Sequence, residues 1–337
     1  MLEPCRGDDL PQVHSDRELP VGLLRTAQLA RIGDLAAASL LLEAETWPKP
    51  GLVSHVDCGS HGDMDARTFR ASALALHPFF VALASAGGTG MDELRAIGLL
   101  AEQAMIAATG GVNTHRGAIF GLGLLCAAAG ALYGAGREYP LGSLGTFVCL
   151  RWGSAILSGP ITRQSHGSEA LRRYGAGGAR AEAAAGFPHV YEVGLPALRS
   201  GRFLASGDEN AARVHACFAL LATLEDTNLL HRSGEAGLRF ARRAARDFLR
   251  RGGVGQVHWQ SRAAEIHHEF IARRLSPGGC ADLLTMSLLV DALETPEPLL
   301  PADRPVGAAW ETLFPNLFPD VSWQEPRKHH LLCSPSF

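Results

Sequence analysis

The chain has 337 residues, 47% of them hydrophobic, enough for a sizeable core in one large domain or two ordinary ones. Its 31 Lys and Arg face 34 Asp and Glu, a formal net charge of −3, so no global basic excess draws it to nucleic acid or anionic lipid. Seven cysteines (Cys5, Cys58, Cys126, Cys149, Cys217, Cys280 and Cys333) are scattered without a C-x-x-C pair or the close spacing of a disulfide framework, which predicts reduced thiols in a cytoplasmic protein.

Residues 1–22 are polar and proline-marked, without the basic and apolar regions of an export signal, and read as a peripheral segment. A helix is predicted over 23–45, where Ala and Leu alternate with polar residues at helical spacing, until Trp47-Pro48-Lys49-Pro50-Gly51 stops it. A long loop follows to about residue 66. Helices are then predicted over 67–86 and 91–108, broken by GGTG and by Gly110-Gly111. The segment 117–135 carries no charge and is long enough for a bilayer crossing, but its many Gly and Ala residues predict a close-packed buried helix, with no membrane association.

Further helices are expected over 141–157, 207–224, 234–250, 254–274 and 278–293. Strand-like alternation of β-branched residues is scarce, and neither a fixed-period repeat nor a low-complexity linker divides the chain. The fold class is therefore all-α: a single multi-helix domain over 23–294 around buried Ala/Leu/Gly-rich central helices, followed by a peripheral tail over 295–337.

Polar clusters sit at the ends of these apolar segments. Two prolines stiffen the turn around Lys49, which suits a phosphate contact, although a plain turn with a solvated lysine is the commoner reading. In His61-Gly62-Asp63-Met64-Asp65, two carboxylates two residues apart can share a Mg²⁺ ion, or one of them can cap the next helix. Asn113, Thr114, His115 and Arg116 crowd the N-terminal mouth of the 117–135 helix, where free N–H groups and the helix dipole favour an anion, with His115 and Arg116 adding cationic hydrogen bonds. A simple N-cap accounts for one of the four.

The glycine-rich Tyr174-Gly175-Ala176-Gly177-Gly178-Ala179-Arg180-Ala181-Glu182 has neither Walker nor dinucleotide-fingerprint spacing, and Glu169 lies just upstream. Glu225-Asp226-Thr227-Asn228 closes one apolar helix, and Ser276-Pro277-Gly278-Gly279-Cys280-Ala281-Asp282 opens another; each acid alone reads as a turn or dipole partner. Several polar-tipped apolar helices in one chain predict that the tips converge on one cleft.

PKPGLV with HGDMD, GVNTHRGAIFGLGLL, YGAGGARAEAAAGFP, EDTN and SPGGCADLL, in this order, closely resemble the triphosphoribosyl-dephospho-CoA synthase family. The resemblance implies an enzyme that joins ATP to 3′-dephospho-CoA and releases adenine, making the prosthetic-group precursor of an acyl carrier protein, which a carrier-protein transferase then receives. By position it implies catalytic roles for Asp63, Asp65, His115, Glu182 and Asp226. It implies substrate contacts for Lys49, Asn113, Thr114, Arg116, Arg180, Asn228 and Asp282, and a Mg²⁺ site on Asp63, Asp65 and Asp226. Ser54-His55-Val56 departs from the family, which often has an Asp-Arg pair there, and Glu225 stands where Asp is common.

The stretch AEQAMIAATGGVNTHRGAIFGLGLLCAAAG looks closer to the malonate decarboxylase branch than to the citrate lyase branch, and no fused transferase domain is evident. A homo-oligomer is compatible with this reading. Two rival readings are a Mg-dependent N-glycosidic hydrolase of a nucleotide and a noncatalytic helical adaptor for the carrier protein.

Overall fold

The structure, a computed structural model, describes residues 21–160 and 172–295. The expectations for the peripheral N-terminal segment and tail, and the remark on Glu169, fall almost wholly outside them. Among the described residues all regular structure is helical. Helix α1 (Val21–Glu45) enters the core in its second half, where Ile32, Leu35, Ala36, Leu40, Leu41 and Ala44 are buried. Trp47 to Pro50 ends it, with a cis Trp47–Pro48 bond. Helix α2 (Ala66–Ser85) starts at Asp65, whose side chain accepts from Thr68 N in a capping box. In α3 (Met91–Ala108), Asp92 and Glu93 lie in the first turn and complement the helix dipole.

Helix α4 (Arg116–Gly134) is the buried rod expected from its composition, packed by α1, α2, α3, α5 (Ser143–Ser158) and α11 (Gly278–Glu294). Its glycines are contact surfaces. A Cβ at Gly117 would stand 2.0 Å from Asp282 Oδ2 and one at Gly121 2.2 Å from Met286 Cε, both on α11. One at Gly130 would stand 1.8 Å from the Ala84 carbonyl oxygen on α2. Helix α4 is long and apolar enough to cross a membrane by length and composition, but 72% of that stretch is buried inside the protein.

Downstream come α6 (Gly178–Ala184), a π-helical turn (Val190–Gly194) running into α7 (Leu195–Leu204), α8 (Glu209–Thr223), α9 (Thr227–Arg250) and α10 (Trp259–Ala272). The sequence reading missed α7. Leu195, Ala197 and Leu198 are buried, but the helix is short and has little net apolar character. The helix expected from residue 234 instead starts at Thr227 and is interrupted at Gly234 (φ 62°, ψ −166°), a conformation that glycine tolerates. The expectation of seven reduced thiols is also corrected: Cys126, Cys149, Cys217 and Cys280 are free, whereas Cys58 is disulfide-bonded.

Candidate active site

The turn after α1 does not present Lys49 to solvent. Asn210 on α8 grips it from both sides, accepting from Trp47 N at 3.1 Å and donating to Trp47 O at 2.7 Å, while Arg213 Nε donates to Thr46 Oγ1 at 2.8 Å. Held there, Lys49 is fully buried and donates to the Glu43 carbonyl at 2.6 Å and to the Glu43 carboxylate, itself buried. The expected solvent-facing cation is thus an interior ion pair, because an ammonium removed from water needs a compensating charge.

At the mouth of α4, His115 is 4% exposed. Thr114 Oγ1 donates to Ser72 Oγ on α2 at 2.8 Å, and Ser72 Oγ lies 2.6 Å from His115 Nδ1. The ring meets Phe69 edge to face at 4.7 Å. Burial, helped by the Lys49 charge, lowers the His115 pKa to about 3. The imidazole is therefore neutral at physiological pH and not the cationic hydrogen-bond donor expected from its place in the sequence. Arg116 is half exposed and pairs with Glu102 on α3 at 2.9 Å, and Asn113 Oδ1 accepts from Arg116 N at 3.3 Å.

Asp226 caps α9, with Oδ1 accepting from Asn228 N at 2.9 Å and Leu229 N at 3.1 Å. Its other oxygen accepts from Cys280 N on α11 at 3.0 Å. Burial still pushes this carboxyl above the usual range, although the three N–H groups oppose the shift. Asp282, one turn into α11, accepts from the Ala118 backbone at the N-terminus of α4. Burial, then the charges of Asp226 and Glu43, push its pKa well up. It is enclosed by helix ends yet keeps a partly accessible surface.

The N-termini of α4, α9 and α11 therefore meet, and α6 joins them: a Cβ at Gly178 would lie 3.3 Å from Thr227. A Cβ at Gly278 would lie 2.5 Å from Asn228 Nδ2, so Asn228 lies at the same junction. Four helix N-termini give this region a positive backbone potential beside its acidic interior.

The 61–65 loop borders this junction, for His61 Nε2 is 2.8 Å from Ser276 Oγ at the start of the α11 turn. Asp63 is solvent-facing, its side chain 64% exposed, with His61 Nδ1 3.6 Å away. Asp65 is committed to Thr68 through Oδ1 and to Arg67 through Oδ2. Asp65 and Asp226 thus have both oxygens engaged, and no three His, Cys, Asp or Glu side chains among the described residues are grouped as a metal site. The expected Asp63, Asp65 and Asp226 set is not assembled as a cage for Mg²⁺.

Arg180 donates to the Leu157, Gly159 and Pro160 carbonyls, each at 2.9 Å, and to that of Ile156, so it caps the C-terminus of α5. Glu182 accepts from His189 N at 2.7 Å and pairs with His189 Nδ1 at 2.8 Å, which raises the His189 pKa.

Sequence reasoning overlooked Glu43, although a carboxylate inside the apolar LLLEAE run of α1 is a signal of a buried partner. It also overlooked Ser72, Asp57 and His267. His267 is buried on α10, with Nε2 3.0 Å from both Asp57 oxygens and Nδ1 against the Lys49 carbonyl, so it pins the Lys49 turn from a second side.

Residues 29–299 match the family model described as CitG: ATP:dephospho-CoA triphosphoribosyl transferase. A relative in Pseudomonas fluorescens, a probable 2-(5''-triphosphoribosyl)-3'-dephosphocoenzyme-A synthase, is 41% identical over 274 residues, which is 79% of this chain and 92% of the relative. Proteins of the same description in Stutzerimonas stutzeri (39% identity; 82% and 95% covered) and Azotobacter vinelandii (40%; 84% and 97%) are similar to the same extent. No solved structure matches the chain significantly. With a family model spanning most of its length and relatives near 40% identity over nearly their whole length, the chain belongs to the triphosphoribosyl-dephospho-CoA synthase family of transferases.

Proposed function

We propose that this transferase joins ATP to 3′-dephospho-CoA at the junction of the α4, α6, α9 and α11 N-termini, and that it works in the cytoplasm, where both substrates are made. The observation that carries this reading is the convergence of Glu43 and Lys49, at the end of α1, with His115, Asp226 and Asp282, from four separate stretches of the chain, on one enclosed region. The 2′-hydroxyl of dephospho-CoA attacks the anomeric carbon of the ATP ribose while the bond to adenine N9 breaks. Positive charge grows on the sugar as the bond lengthens, and the interior carboxylates stabilise it.

Asp282 is the base for the 2′-hydroxyl in this reading. It is partly accessible, and its raised pKa brings it nearer the working pH than an ordinary carboxylate. Asp226, with both oxygens on N–H groups, positions the helix ends. The triphosphate lies at the rim, among the helix N-termini and near Arg116 and near Arg232, an exposed α9 side chain whose guanidinium is 3.4 Å from His61 Nδ1. The expected Mg²⁺ would be carried by the triphosphate, and Asp63, the solvent-facing carboxylate of the expected set, would be the residue to hold it.

The likeness of the 101–130 stretch to the malonate decarboxylase branch supports that carrier system as the one served, with a carrier-protein transferase as the next user of the product. Incubation with ATP and 3′-dephospho-CoA, followed by mass spectrometry, tests the reaction. Adenine and the triphosphoribosyl adduct should appear together. Adenine released equally fast without dephospho-CoA would make the protein a hydrolase, and no turnover at all would leave a binding protein.

A further inference from the structure

His115 Nε2 is buried and has no hydrogen-bond partner among the described residues. Such a group is costly to leave unmade, and its protonation follows from the other ring nitrogen. Thr114 donates to Ser72, so the Ser72 hydroxyl has its own hydrogen to give to His115 Nδ1. Nδ1 is then the acceptor, and the single ring hydrogen sits on Nε2. The imidazole is neutral, because burial and the Lys49 charge hold its pKa at about 3. The site therefore contains a fixed, uncharged N–H donor that lacks an acceptor.

Apart from the ribose oxygens, ATP offers two kinds of acceptor: the triphosphate oxygens and the ring nitrogens of the purine. Lys49 is the charge that acts on His115, and Glu43 pairs with it; beyond this neutralised pair the interior holds Asp226 and Asp282, so the surplus charge is negative. A polyanion is repelled there and is better placed among the helix N-termini and arginines at the rim. A neutral heterocycle carries no such cost, and the Phe69 ring against His115 supplies an aromatic wall.

We infer that His115 donates its Nε2–H to a ring nitrogen of the ATP purine, N3 or N7, and so stabilises adenine as it leaves, with Ser72 and Thr114 as positioning residues that fix the tautomer. The inference rests on the transferase reading. As the C1–N9 bond breaks, its electron pair moves onto the purine, and the bond from the 2′-oxygen to C1 forms with that hydroxyl's proton passing to the base. His115 keeps its own proton and strengthens its hydrogen bond as the purine becomes more basic, and the proton taken up by the base passes through water to the departing purine, which leaves as neutral adenine.

The test compares adenine-base release from ATP, 3-deaza-ATP and 7-deaza-ATP, each with dephospho-CoA, by the wild type, His115→Ala and His115→Gln. Whatever a deaza base changes in intrinsic leaving ability is common to all three enzymes and cancels in the ratio. The wild type should lose an additional factor of about ten in kcat/KM with one of the two analogues. That additional factor should vanish in His115→Ala and return in part in His115→Gln, whose amide can donate from near the Nε2 position.

Ser72→Ala should shrink the factor without abolishing folding, as checked by its melting transition, whereas a merely structural role would leave the ratio unchanged. If both analogues suffer the same penalty in the wild type and in folded His115 variants, the contact does not exist. If the wild type releases no adenine from ATP itself, it is the transferase reading that fails.

Discussion

The Asp226 carboxylate and the Cys280 backbone N–H, 54 residues apart in the chain, meet at 3.0 Å and fasten the first turn of α11 to the first turn of α9. Asp226 serves three N–H groups in all, from Asn228, Leu229 and Cys280. Asp226→Ala strands buried donors and should cost about 2–4 kcal/mol of stability in denaturant titrations. Asp226→Asn, which keeps the two α9 contacts through its carbonyl, should cost less. Equal losses for the two variants would mean that the capping network is not what holds the junction.

Asp282 should behave in the opposite sense. Its folded pKa is raised, so the stability that its protonated form allows is complete below the ordinary carboxylate range and is lost as pH rises through the folded value. An asparagine has no such cost. Asp282→Asn should therefore gain stability over the wild type as pH rises from about 5 to about 8, while adduct formation falls by at least about a hundredfold. Melting curves at the two pH values decide the first point and mass spectrometry the second.

The Lys49–Glu43 pair predicts a large single-site penalty and a partial rescue. Lys49→Met leaves a buried carboxylate without its cation and should cost about 3–5 kcal/mol. Adding Glu43→Leu removes the stranded charge and should recover a measurable part of that loss without restoring turnover. A double variant as unstable as the sum of its singles would show that the two side chains are not coupled.

The Glu182–His189 pair, with side-chain exposures of 12% and 28%, carries its own pH signature. His189 has a raised pKa in the folded protein, so the contribution is complete below the unfolded histidine value and disappears as pH rises through the folded one. Glu182→Gln should accordingly destabilise more at about pH 6 than at about pH 9. A penalty independent of pH would assign the whole effect to the bond from His189 N.

Two glycines separate close approach from mere helix weakening. Gly130→Ala drives a methyl into the Ala84 backbone carbonyl and should cost about 1–3 kcal/mol. Gly98→Ala, in α3 with nothing within 4 Å of its new methyl, should instead stabilise by about 0.5–1 kcal/mol. Thermal denaturation of the pair checks the opposite signs.

The helical class and most helix positions were legible because apolar runs broken by Gly and Pro are local signals. The glycine-rich segment 117–135 was readable as a buried rod for the same reason, since small residues permit close helix crossings. What a side chain faces was not legible. Lys49 turns inward because Glu43, Asn210 and His267 hold its loop, two of them more than 150 positions away. Asp65 lay between capping and ligand roles in the sequence, and the capping box with Thr68 is the one the structure displays. His115 stood beside Arg116 and shared its apparent charge, yet one is buried and neutral and the other half exposed and ion-paired. Burial, with the Lys49 charge beside the imidazole, keeps His115 neutral, and no local pattern reports either.

The pairing of α4 with α11 has a consequence for the depth of Asp282. Gly117 and Gly121 are one helical turn apart on α4, as Asp282 and Met286 are on α11, and the Met286 thioether is seated at the Gly121 notch. Sliding one helix past the other by a turn would mean a shift of about 5.4 Å, and the notch resists anything smaller. The thioether thus acts as a depth stop for a carboxylate it never touches, and trimming it to alanine would loosen the placement of Asp282 without altering a single polar group.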